Sequence, residues 1–126
     1  VADDDLQPGR WQVDAASDLA ASAPVVPDLT GLIDRAEKAA TLLKAMGHDG
    51  RLTILCHLRT GPKSVTELEN LLSARQAIVS QQLARLRLEG LVSARREGQA
   101  IFYSLLDPRV AEVLEVLARL FGPGRD

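Results

Sequence analysis

Apolar positions recur along this chain with two different periods, and the change from one period to the other locates its elements. From Leu29 to Met46, residues Leu32, Ile33, Ala36, Ala40, Leu43 and Met46 recur at three- and four-residue spacing, which lines one face of an α-helix. Asp28 or Thr30 stands where that helix needs an N-cap, and Gly47 stands where it has to stop. Leu52, Leu55 and Leu58 predict a second helix over Gly50 to Arg59, capped by Asp49 and ended by Thr60-Gly61-Pro62. Ser64 and Glu67 have capping-box spacing, so a short helix should run to Leu71 or Leu72 with Leu68, Leu71 and Leu72 facing inward. After a turn of about two residues, Val79, Leu83 and Leu86 phase a further helix that Gly90 stops. The period then shortens: Leu91 to Arg96 and Gln99 to Ser104 predict two strands joined at Glu97-Gly98. Asp107-Pro108 opens a last helix, phased by Val110, Val113, Leu114, Leu117 and Leu120 and closed by Gly122 to Gly124.

This order predicts a mainly α fold with a small β-hairpin, the layout of a winged helix-turn-helix. The helix between Ser73 and Gly90 has a polar side bearing Arg75, Gln76, Ser80, Gln81, Gln82 and Arg85. An α-helix fits the major groove of DNA, where Arg, Gln and Ser can read base edges and a small apolar residue can meet a thymine methyl. Arg75, Gln76, Ala77, Ser80, Gln81 and Arg85 are therefore the groove-facing candidates, with Ile78 as a second apolar contact. Arg95, Arg96 and Gln99 on the hairpin are candidates to hold the backbone.

Net charge alters this picture only when divided along the chain. The total is −2, yet residues 1–28 carry six Asp and one Arg, while residues 29–126 carry 14 Lys or Arg against 11 acids. An acidic segment of −5 thus masks a domain of +3, and residues 73–96 hold five Arg against one Glu. Association with DNA should depend on salt through phosphate contacts. Residues 1–28, with three Pro and many Ala and Asp, predict a largely disordered tail, although Asp14 to Ala23 has the makings of a short helix and Trp11 is the only tryptophan. The winged domain is expected over residues 29–122, with 123–126 as a C-terminal tail.

The remaining composition is that of an ordinary globular chain: 126 residues, 46% hydrophobic and 25% charged. No run approaches the roughly 18 apolar residues of a membrane helix, nothing reads as a secretory leader, and one cysteine cannot form an internal disulfide. A reducing cytoplasm is the expected compartment. So small a domain has little room for two long apolar terminal helices. The first and last helices are expected to pair with their copies in a homodimer; the alternative is that both cover a single core. With two His, no Gly-rich phosphate loop and no paired base and nucleophile, the chain does not read as an enzyme. A winged-helix module for protein contact is the other non-catalytic reading, and the arginine excess on helix and hairpin speaks against it.

Four stretches resemble the ArsR/SmtB family of bacterial dimeric winged-helix repressors: Ala45 to Leu55, Ser64 to Leu68, Ile78 to Val92 and Arg96 to Leu105. The resemblance implies a dimer that binds a pseudo-palindromic operator in double-stranded DNA. It also implies where metal-sensing members keep their ligands, at positions matching Ser64 and Thr66 and matching Asp107, Arg109, Leu120 and Pro123. Three or four N, O or S donors are needed to hold a transition metal, and only Asp107 qualifies, so neither a metal nor another cofactor is expected. The stretch Arg51 to Leu58 is similar to the subgroup that senses reactive sulfur species or oxidants through two cysteines. Cys56 matches the first cysteine, and the second falls at about Gly122. Taken on its own, a lone helical Cys is more often a small buried hydrophobe. His57 beside it is more often hydrogen-bonded than a haem ligand.

Overall fold

The computed structural model describes residues 26–124. The expectations for Trp11 and for a helix over Asp14 to Ala23 lie outside the described residues. The elements are α1 (Thr30–Asp34), α2 (Ala36–Met46), α3 (Asp49–Leu58), β1 (Lys63–Ser64), α4 (Val65–Leu72), α5 (Gln76–Leu88), β2 (Val92–Glu97), β3 (Ala100–Leu105) and α6 (Pro108–Phe121). The chain divides into two units, one ending at Asp34 and one beginning at Arg35.

The predicted first helix is thus two. At Arg35 the backbone takes φ −116°, ψ 25°, away from helical values. In the first unit the Asp28 carboxylate accepts from both the Thr30 amide and its hydroxyl, so Asp28 is the residue that caps α1. This holds the carboxyl below its usual range, the side-chain hydrogen bond contributing most. Leu32 and Ile33, placed on an apolar stripe by their spacing, are exposed, and no residue of α1 is buried.

From Arg35 onward the core is aliphatic. Ala45 and Met46 of α2, Ile54, Leu55 and Leu58 of α3, Leu68 of α4, Val79, Leu83 and Leu86 of α5, Leu91 and Val92 at the hairpin base, and Val110 and Leu114 of α6 are all buried. Helices α3 to α6 bury the faces their spacing predicts, with local exceptions, whereas α2 turns a different face inward: Ala36 and Ala40 are exposed, and of its predicted stripe Met46 alone is buried. Leu43 and Leu71 face outward, and Leu42 replaces Leu43 on the inner side of α2. His48 rather than Asp49 caps α3, its Nδ1 accepting from the Gly50 amide at 3.1 Å. Asp49 instead becomes the first helical residue, where its charge suits the positive end of the helix dipole.

The sheet has three antiparallel strands in the order β1-β3-β2. Lys63 pairs with Tyr103 and Ser64 with Phe102, so a two-residue strand not foreseen from the sequence ties the hairpin to the start of α4. In the hairpin, Val92 pairs with Leu105 and Glu97 with Ala100. The turn is therefore Gly98-Gln99, one residue later than expected. Gly98 has φ +64° and Gln99 does not enter positive φ, the pattern of a two-residue turn that needs glycine at its first position.

Candidate nucleic-acid interface

The helix-turn-helix is α4 and α5. Ser64 Oγ accepts from the Glu67 amide at 3.1 Å, and the Glu67 carboxylate accepts from the Ser64 amide at 2.8 Å, completing the predicted capping box. The turn spans Ser73, Ala74 and Arg75, three residues where about two were expected. It is made by Ser73 at φ 52°, ψ 44°, the only non-glycine residue at positive φ among those described. The Ala74 amide returns to the Glu69 carbonyl at 3.2 Å, which satisfies an acceptor that the helix end would leave open.

Arg75 then occupies the N-cap position of α5 without a side-chain cap bond. Val79, Leu83 and Leu86 seat α5 on the core, and Gln76, Ala77, Ile78, Ser80, Gln81, Ala84, Arg85 and Leu88 are exposed. Four helical positions apart, Ala77 and Gln81 form the ridge furthest from the core, with Ser80 and Arg85 on its flanks. Ala84 and Leu88 continue that ridge and were missed; their signal was the same spacing carried past Gln81. Gln82 does not belong with the polar face. It is half-buried, and its side-chain oxygen accepts from Arg51 at 3.2 Å.

Charge on this surface is unevenly available. Arg85 Nε donates to Glu89 at 3.2 Å, and Arg95 is held by Glu97 at 2.7 Å. Arg75 and Arg96 have no carboxylate within salt-bridge distance among the described residues. Because side chains alternate along a strand, Arg95 shares one face of β2 with Glu97 while Arg96 lies on the other, opposite Ile101. Gln99 is exposed at the hairpin tip.

Cys56 is exposed on α3 beside an apolar groove of about 310 Å³ whose other walls include Leu52, Leu114, Leu117, Ala118 and Phe121. The thiol therefore sits against the C-terminal half of α6, the end that carries Gly122. His57 is half-buried and its backbone carbonyl accepts from Thr60. Of the polar groups at the positions where the resemblance would put metal ligands, Ser64 is engaged in the capping box and Asp107 in a bidentate pair with Arg109, with Nη2 2.6 Å from Oδ2. Asp107 also caps α6 through the Arg109 amide at 2.9 Å. Its carboxyl is held below its usual range chiefly by the Arg109 guanidinium, burial opposing the shift, and Arg109 is raised in return. No helix among the described residues is long and apolar enough to cross a membrane.

A capped helix, a short turn, an exposed polar helix and a three-stranded wing define a winged helix-turn-helix protein. Residues 48–94 match the family model described as bacterial regulatory protein, arsR family. The chain is 46% identical over 84 residues to the transcriptional activator HlyU of Vibrio cholerae, covering 67% of this chain and 78% of that one. It is 43% identical over 93 residues to the biofilm growth-associated repressor of Agrobacterium fabrum, covering 74% and 80%. A solved structure described as reduced HlyU from V. cholerae superposes with a TM-score of 0.69 at 42% identity, covering 73% of this chain and 97% of that one. The chain belongs to the ArsR family of bacterial transcription regulators.

Proposed function

We propose that this chain is a dimeric cytoplasmic repressor that binds a pseudo-palindromic operator and releases it when reactive sulfur species or oxidants modify Cys56. The observation that carries the DNA reading is the exposed ridge of α5, with Ala77, Ser80, Gln81 and Arg85 outward, beside a wing whose Arg96 has no acidic partner among the described residues. Gln and Arg on such a ridge discriminate bases, while Arg96 contributes phosphate contact without sequence information. Exposed apolar residues support the dimer: Leu43 on α2, and Val116, Leu120 and Phe121 on α6. One recognition helix offers little specific contact, and a two-fold pair doubles it.

The thiol is the switch. Its sulfur attacks the outer sulfur of a persulfide donor, breaking the donor's S–S bond; Cys56 becomes a persulfide and the donor leaves as a thiol carrying the proton. With peroxide, the thiol becomes a sulfenic acid and one water is released. Either product enlarges and polarises the side chain beside the apolar groove between α3 and α6. Regulation follows if the modified groove favours a spacing of the two recognition helices that the operator does not match. The sequence contains one cysteine, so the modification is complete on a single thiol of each chain. That same observation favours a second reading, a DNA-binding regulator with a different effector or none.

The test uses a duplex selected by the reduced protein from a random double-stranded pool. Affinity is measured before and after a persulfide donor or peroxide, with Cys56→Ser alongside. Weakening that requires Cys56 supports the switch, and equal behaviour of both proteins leaves the second reading. In the same assay Gln81→Ala should relax base preference, whereas Arg96→Ala should weaken all duplexes alike. Equal loss of specificity from both would contradict the assignment of roles.

A further inference from the structure

The recognition helix is seated on the core by Val79, Leu83 and Leu86, and apolar contact is non-directional. Such a seat resists lifting far better than turning. A turn of about 10° moves a side-chain tip on a helix of about 5–6 Å radius by about 1 Å, enough to spoil hydrogen bonds to base edges. Something directional has to fix rotation.

One side chain is placed to do so. Arg51 Nε donates to the Ala45 carbonyl at 2.7 Å, Nη2 to the Lys44 carbonyl at 3.3 Å, and Nη1 to Gln82 Oε1 at 3.2 Å. Two edges of one planar guanidinium therefore join the last turn of α2 to the middle of α5. The carbonyls of Lys44 and Ala45 lie in the last turn of α2, where intrahelical donors run out and the dipole attracts a cation. Gln82 follows directly on Gln81. Arg51 has no carboxylate partner among the described residues. A glutamine supplies the acceptor without adding negative charge to the helix that has to approach phosphate.

We propose that Arg51 and Gln82 form a tether that sets the rotation of α5 relative to α2, and are positioning residues for sequence readout that do not themselves touch DNA. This rests on the DNA-binding reading above. It joins the helix whose last turn Arg51 caps to the helix that reads bases. It also places the tether on α3, the helix that carries Cys56.

The test compares Arg51→Lys, Gln82→Leu, the double variant and Gln82→Glu with the wild-type protein. Lysine keeps the charge but lacks the planar fork. The first readout is the ratio of affinities for a duplex selected by the wild-type protein and for a scrambled duplex of equal length. Arg51→Lys and Gln82→Leu should each lose about tenfold in this ratio, the worth of one misplaced bidentate base contact, with scrambled-duplex affinity unchanged within about twofold. The double variant should lose no more than either single one, because all three break the same link. The second readout needs no DNA: residual dipolar couplings should show α5 turned relative to α2 in Arg51→Lys and Gln82→Leu and restored in Gln82→Glu, which keeps the acceptor. An unchanged ratio, multiplying effects, or an unchanged α5 orientation overturns the proposal. If the wild-type protein selects no duplex, the DNA-binding reading fails while the couplings still decide the tether. Thermal unfolding checks each variant, and if Arg51→Lys does not fold, half-buried Gln82→Leu decides both readouts.

Discussion

Arg96→Ala should change how DNA affinity depends on salt, by an amount the wing geometry sets. Arg96 is exposed, lies across from Ile101, and has no carboxylate partner among the described residues. A side chain that neutralises one phosphate contributes about 0.9 to the slope of log affinity against log salt, so the two wings of the proposed dimer would contribute about 1.8. Between about 50 and 200 mM salt this makes the variant's loss of affinity roughly 12-fold smaller than the wild-type loss. Arg95 provides the control. Its guanidinium is bound to Glu97 through Nε at 2.9 Å and Nη2 at 2.7 Å on the opposite face of the strand. Removing both residues of that pair leaves net charge unchanged and should shift the slope by less than about 0.3, a minor fraction of one phosphate contact. Fluorescence anisotropy titrations of one labelled duplex at five salt concentrations measure all three slopes. A pair deletion that flattens the slope as much as Arg96→Ala would refute the reasoning, because it would mean that Arg95 leaves Glu97 for phosphate.

Ser73→Gly should be neutral or raise stability by up to about 1 kcal/mol in urea unfolding, and Ser73→Val should lower it by about 1–2 kcal/mol, because a β-carbon at φ 52° is strained and branching worsens it. Asp107 has a folded-state pKa below its ordinary value of 3.8. Its contribution is therefore complete above the unfolded value and is lost as pH falls through the folded one. The stability difference between wild type and Asp107→Asn should hold steady down to about pH 4 and shrink below it, followed by denaturant titrations across pH. Deleting residues 1–28, which carry −5, should raise duplex affinity at about 10 mM salt, and the gain should fade near 150 mM as the screening length drops from about 30 to about 8 Å.

Most of the helix order was legible because buried positions here are aliphatic residues on a regular phase; Val79, Leu83 and Leu86 announce the core face of α5 without any knowledge of what lies beneath. The break at Arg35 was not, since the nearest glycine, Gly31, lies a full turn earlier inside α1 and the apolar phase runs straight through. β1 is two residues long, too short to show a period. The hairpin turn moved by one because alternation along Ser93-Ala94-Arg95-Arg96 is weak and Gly98 suits either turn position. In the candidate site, Gln81 and Gln82 look alike in one dimension. What separates them is Arg51, 31 residues earlier in the chain, and no local pattern carries that partner.

The short strand β1 has a consequence for how such regulators can be rebuilt. Ser64 is at once the last residue of β1, paired with Phe102, and the N-cap of α4. A wing borrowed from a relative and grafted over residues 92–105 would arrive with a third strand written elsewhere in the recipient. Where the two do not match, the ladder and the helix start are lost together. The modular part that can be exchanged begins at Lys63 and ends at Leu105, so a hybrid with a new wing needs its own helix-turn-helix brought along with it.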